Sequence, residues 1–210
     1  MMSLKDLLAE VDTFFENIID EKQKIEVLNT FKKALHQHSP FSGEPVDCVL
    51  WIQSTALHPN DYNPNVMAPP EKKLLQRSLE TDGYTQPVVV TACAKGYAII
   101  DGFHRYSLGK SKPVLRKKLN GYLPVTLVTE RNLKPADRIA ATIRHNRARG
   151  KHHIAAMSAI VQDLYKLGWG DARISEELGM DADEVLRLKQ ISGLAELFQE
   201  KEYSEAWTVK

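Results

Sequence analysis

Apolar positions in the first forty residues recur at three- and four-residue steps. Leu4, Leu7, Val11, Phe14 and Ile18, then Ile25, Leu28, Phe31 and Leu35, fall on one helix face, with Lys, Glu and Asp filling the others. The pattern predicts helix over residues 3–36, broken around Asp20-Glu21, with no heptad sustained over four repeats. Residues 1–40 are thus expected to be a helical extension packed on the next domain. His38, Ser39, Pro40, Ser42, Gly43 and Pro45 then mark a linker.

After Val46 the rhythm changes. Val46 to Ile52 reads as strand, His58 to Asn65 as a turn-rich loop, and Glu71 to Glu80 as a helix ending at Asp82-Gly83. Gln86-Pro87 opens an apolar strand, Val88-Val89-Val90. Gly96 to Ile100 is a second strand, and it runs straight into Asp101-Gly102 and a new helix. Leu123 to Val128 is a further strand. Short strands interleaved with short helices predict a small mixed α/β domain over residues 46–134. From Pro135 the period is helical again, over Ala136–Arg144, His153–Leu167, Asp171–Gly179 and Ala182–Gly193. The last two, parted by a Gly-led turn, have the helix-turn-helix pattern. The expected class is α+β: the extension, the α/β domain, and a helical bundle over 135–200.

Composition fits that picture and narrows the compartment. A chain of 210 residues, 43% apolar and 26% charged, can bury a real core. No run of 18 apolar residues exists, so no membrane span is expected. The first ten residues lack a signal-peptide apolar region, and Cys48 and Cys93 are too few for a disulfide framework and lack metal-ligand spacing. The expected setting is a reducing cytoplasm. Twenty-eight basic residues against 27 acidic ones exclude a uniformly basic nucleic-acid coat.

Yet the charges are segregated. Arg105 to Lys118 holds six basic residues and no acid, and Arg131 to Lys151 holds seven against Asp137 alone. Asp171 to Glu205 reverses this, with ten acids and four bases. The segregation suggests an anion-binding middle and an acidic C-terminal part, against the plainer reading of solvated helix faces.

Candidate chemistry concentrates at Asp101-Gly102-Phe103-His104-Arg105. There a buried strand ends, Gly102 permits positive φ or close approach, and the first-turn amides of a helix point outward. Arg105 adds a permanent cation and His104 a titratable one, which together suit a phosphate chain. Asp101 could hold a metal, orient His104 or act as a base. His152-His153 are adjacent rather than i, i+4, so they do not share a metal from one helix face, and no metal site is expected. In the helix-turn-helix segment, Arg187 and Lys189 are the candidate DNA contacts, behind the acids Asp181, Asp183 and Glu184.

The ordered motifs His58 to Asn65, Glu71 to Glu80, Gly83-Tyr84-Thr85-Gln86-Pro87 and Gly102-Phe103-His104-Arg105 resemble the ParB/sulfiredoxin-like superfamily over about residues 46–193. Arg144-His145-Asn146-Arg147-Ala148-Arg149 looks like that family's Glu-Asn-x-x-Arg stretch. The resemblance implies a nucleoside triphosphate, CTP or ATP with or without Mg²⁺, held at Gly102, Phe103, His104, Arg105, Asn146 and Arg149, with the base near Gln86 and Pro87. His145 replaces the family's Glu, Asn65 replaces an Arg, and Phe103 stands where sulfiredoxins carry the reactive Cys, which argues against sulfinic-acid reduction. The chain looks most similar to IbrB-type ParB-like coactivators of prophage gene expression. That likeness implies a transcription regulator whose partners are a nucleotide and DNA or a transcription-associated protein, with a homodimer open. The alternative it implies is a kinase or NTPase of the free-serine-kinase branch, with Asp101 and His104 catalytic. A nuclease ranks last, since no clustered carboxylates offer a two-metal site.

Overall fold

The computed structural model describes residues 2–59, 67–128, 136–137, 139–140, 143 and 154–199, the side chains of 155–156 and 192–199 excepted. Five strands, β1 (Val49–Gln53), β2 (Leu57–His58), β3 (Val88–Cys93), β4 (Gly96–Asp101) and β5 (Tyr122–Leu127), form one sheet in the order β1-β5-β3-β4-β2. The sheet is mixed. β3 and β4 are an antiparallel hairpin, β1 is antiparallel to β5, and the β5–β3 and β2–β4 pairs are parallel. The described α-helices with defined bounds are α1 (Leu4–Glu16), α2 (Glu21–Gln37), α3 (Pro69–Thr81), α4 (Phe103–Ser111), α5 (Pro113–Lys118), α6 (Ile154–Lys166), α7 (Asp171–Leu178) and α8 (Ala182–Gln199).

The N-terminal break has a clear cause. Asp20 caps α2, its carboxylate accepting from the Gln23 amide at 2.6 Å, so the chain restarts there as a new helix. Two expected boundaries move. Pro45–Asp47 forms a 3-10 turn, because Pro45 has no amide to give a ladder, and β1 starts at Val49 rather than Val46. Helix α8 runs through Gly193 to Gln199. The basic segment after Lys112, for which the sequence pattern predicts no element, is helix α5, entered through Pro113 at its first position.

Two hydrophobic cores are distinct. Val88, Val90, Ile99, Leu123 and Val125 of the sheet pack with Tyr106 of α4, and Leu79, Leu108 and Leu115 join α3, α4 and α5. Gly109 lets α4 lie close on the sheet, since an added Cβ would overlap the Tyr84 hydroxyl and Leu123. The other core joins α6, α7 and α8 through Leu164, Trp169, Ile174, Leu178 and Val185. Ala136, Ile139, Ala140 and Ile143, also helical, contribute to it. α7 ends at Gly179, φ 62°, the left-handed cap that starts the turn into α8.

β1 is an edge strand, and α2 covers that edge with side chains. Asn29 donates from Nδ2 to the Trp51 carbonyl at 2.7 Å and accepts from the Trp51 amide at 2.9 Å, so one amide side chain imitates a neighbouring strand. Lys32 donates to the Val49 carbonyl at 2.8 Å. Asn29→Ala is therefore expected to destabilise the protein by roughly 1–3 kcal/mol, because a part-buried amide and carbonyl lose their partner together. A urea midpoint unchanged from wild type would show that solvent satisfies this edge equally well.

Candidate functional site

The hairpin topology builds the site. Because β4 returns antiparallel to β3, the end of β4 lies beside the start of β3, and Val89 faces Asp101. The ladder is irregular between Val89 and Val90, at this same end. Gln86 and Pro87, which precede β3, are thereby carried next to Asp101, Gly102, Phe103, His104 and Arg105. β2 runs parallel to β4, so its exit at His58-Pro59 heads toward the same end of the sheet. The His58 ring itself is bonded to the Lys95 carbonyl at 2.9 Å.

Gly102 is the N-cap of α4 with φ 87° and ψ 22°, and its carbonyl accepts the first intrahelical bond from the Tyr106 amide at 2.9 Å. Only glycine takes this left-handed corner without strain. The space that a side chain would take there is filled by Arg105: an added Cβ would stand 2.9 Å from its Nη2 and 3.3 Å from the Val88 Cα. The guanidinium thus folds back over Gly102. Its Nη1 donates to Gln86 Oε1 at 2.5 Å and its Nη2 to the Pro87 carbonyl at 3.3 Å. Nη2 also lies 3.5 Å from Asp101 Oδ2, an ion pair whose side chains are 14% and 9% exposed for Arg105 and Asp101.

The arrangement gives Asp101 a holding role on the cationic fork. Helix α4 is further fixed from both sides. Tyr84 donates to the Arg105 carbonyl at 2.7 Å, and Tyr106 to the Leu57 carbonyl at 3.1 Å. Burial pushes the Tyr84 phenol up to about 12, partly offset by Arg105. The phenol's contribution to stability is then fully present below its unfolded value of about 10 and is lost as pH rises through the folded one. His104 is half-buried with its ring 5.5 Å from that of Phe103, edge to face. Tyr84 as a support was not evident in the sequence; the Gly-x-x-Gln-Pro motif contains it, but its partner lies 21 residues away.

Chemically, the arrangement has the elements that suit an anion: a guanidinium, an imidazole and the first turn of a helix, with the nearby carboxylate beside the guanidinium. Asn146 and Arg149, which the family resemblance implies would complete it, lie outside the described residues, as do residues 60–65 of the first motif.

The basic run 105–118 is partly consumed internally. Lys110 donates to the Tyr106 hydroxyl at 2.7 Å and sits 5.1 Å from that ring's centre. Lys118 donates to the Glu80 carbonyl at 3.1 Å. Arg116 and Lys117 remain exposed, and Lys112 is half-buried. Arg116 and Lys117 line a cavity of about 510 Å³ with Gln53, Thr55 and Asn120.

In the helix-turn-helix, Asp181 caps α8 by accepting from the Glu184 amide at 2.6 Å. Arg187 is exposed. Lys189 is turned onto Asp171, 2.9 and 3.2 Å from its two oxygens, and lies 4.1 Å from the centre of the Tyr165 ring. The hydrogen bond to Asp171 raises the Lys189 pKa, so the ammonium is charged but already engaged.

Residues 152–200 match the family model of the IbrB-like C-terminal HTH domain. The uncharacterized protein YbdM of Escherichia coli (strain K12) is 57% identical over 210 residues, 99% of each chain. Among solved structures, the C-terminally truncated chromosome-partitioning protein ParB of Caulobacter crescentus, complexed to the centromeric parS site, is 17% identical over 71% of this chain and 74% of that one, with a TM-score of 0.45. The same protein complexed with CTP-γ-S is 16% identical over 69% and 78%, TM-score 0.37. At TM-scores below 0.5 these are distant likenesses in shape. Among the described residues, no helix is long and apolar enough to cross a membrane.

Proposed function

This chain belongs to the family of Escherichia coli YbdM, and from that premise, with an IbrB-like helix-turn-helix domain at residues 152–200, we propose that it is a nucleotide-dependent regulator acting on DNA. Its role is that of an IbrB-like coactivator of transcription. The observation that carries this reading is the convergence of Gln86-Pro87 with Gly102 to Arg105 at one end of the β3–β4 hairpin.

A nucleoside triphosphate, CTP or ATP, supplies the charge that the site lacks. Arg105, braced by Asp101 and Gln86, offsets the phosphates, and His104 donates to one of them. Any Mg²⁺ would be held through the phosphates, with Asp101 paired to Arg105. In this reading Asn146 and Arg149 add to the nucleotide's contacts, and its binding changes the surface that Arg187 and its neighbours offer to DNA or a transcription-associated protein. The kinase reading needs Asp101 to face a substrate hydroxyl, and the burial of that carboxylate against Arg105 weighs against it.

Calorimetric titration with CTP, ATP, GTP and UTP in the presence of Mg²⁺ tests the proposal. One nucleotide is expected to bind saturably, and Arg105→Ala to weaken it roughly 10- to 100-fold, the worth of a charge-assisted contact. Unchanged affinity in the variant removes the site assignment. Steady ADP release that depends on a small hydroxylated compound would favour the kinase instead.

A further inference from the structure

The site leaves α1 unused. Every residue from 2 to 10 is exposed, and Leu4, Leu7 and Leu8 are 73%, 41% and 54% accessible. These continue through Val11 to Phe14 as the apolar stripe of an otherwise polar helix. α1 meets α2 near its C-terminal end, where Phe14 and Phe15 lie 6.0 and 5.3 Å from the Phe31 ring, before the chain turns inward at buried Ile18. A 13-residue helix that keeps its apolar stripe in water is marginal, even with the Ser3–Asp6 capping box at its start. Nothing among the described residues covers the stripe.

Charge selects the occupant. α1 carries Asp6, Glu10, Asp12 and Glu16 against Lys5, so phosphate surfaces, lipid or nucleic acid, repel it. α2 exposes Lys22, Lys24 and Lys33 against Glu21 and Glu26, Lys32 being engaged with the Val49 carbonyl, and it exposes Leu35 at 69%. The chain thus holds its own complement: an acidic apolar helix followed by a basic one with an apolar end. We infer that α1 of one copy packs on α2 of a second copy in a twofold pair, closing the apolar stripe inside a four-helix cluster. The exposed apolar side chains amount to on the order of 500 Å² per chain, so a pair hides about 1,000 Å², the lower bound of a specific interface.

Sedimentation velocity of the full chain, from about 1 to 100 µM, reads this out. A concentration-dependent dimer is expected. The double variant Leu4→Lys/Leu8→Lys should be monomeric at every concentration, with its thermal unfolding otherwise preserved because both positions are exposed. Glu10→Lys/Asp12→Lys in α1 and Lys24→Glu/Lys33→Glu in α2 should each weaken the dimer about tenfold, and all four together should restore it. A monomeric wild type, or a dimer indifferent to Leu4 and Leu8, overturns the inference. Failure of the fourfold variant to recover overturns the pairing of α1 with α2.

Discussion

Replacing Gly102 with valine is expected to lower the stability of the α/β domain by about 3 kcal/mol or more and to remove nucleotide binding in the same step. Two contributions combine. A β-branched residue at φ 87° is forced into the left-handed region, worth roughly 1–2 kcal/mol. Its Cβ also meets the Arg105 guanidinium and the Val88 backbone, 2.9 and 3.3 Å away. The guanidinium can swing aside; Val88, 0% exposed and paired with Val125 of β5, cannot. Gly102→Ala separates the parts, since the fork is displaced but the branched methyls are absent. If the overlap with Arg105 matters, Gly102→Ala and Arg105→Ala combined will destabilise less than the sum of the two. Urea unfolding of the four proteins measures this, and strict additivity would show that the fork and the glycine are independent.

That coupling explains what the sequence could and could not disclose. The strand–Gly–helix corner was legible, because Ile99-Ile100 must be buried and Gly102 is the residue that tolerates such a turn. What Arg105 does was not. A cation after a glycine at a helix start reads as a phosphate ligand, whereas here its fork is first a brace, held by a glutamine 19 residues earlier that reaches it only through the hairpin. Lys110 and Lys118 repeat the lesson. Charge counts give an acid-free basic run, but hydrogen bonds to Tyr106 and Glu80 absorb part of it, and those partners are fixed by α3 and α4 packing.

The periodic segments were the most legible: α3, α6 and α7 fall within a few residues of their expected places. Boundaries failed where backbone chemistry outweighed periodicity, as at Pro45 before β1. α8 passes Gly193 because one glycine weakens a helix by only about 1 kcal/mol. The Asn29 cover on β1 had no sequence signal, since a polar residue on a helix face normally reads as solvated. The N-terminal stripe is helix, as its period predicts, but its expected packing on the following domain holds for α2, while the last turns of α1 meet α2 instead.

Leu164→Ala should unfold the C-terminal helices while leaving the sheet intact. Leu164 is 0% exposed and sits among Trp169, Ile174, Leu178 and Val185 in the core that joins α6, α7 and α8. Truncating such a leucine destabilises by about 2–5 kcal/mol, the larger figure where the cavity cannot collapse. A core this small supplies on the order of 3–5 kcal/mol in all, so one cavity consumes most of it. The sheet core shares none of its buried residues with this cluster, and the loss should stop at the boundary expected near residue 135. Hydrogen exchange read by mass spectrometry distinguishes the outcomes. Amides of α6 to α8 are expected to exchange fast in the variant, while β3 and β4 stay as protected as in wild type. Equal loss of protection in both would mean one cooperative unit. The helix-turn-helix could then not reorient separately, and nucleotide-driven closure of the two parts would need a different moving element.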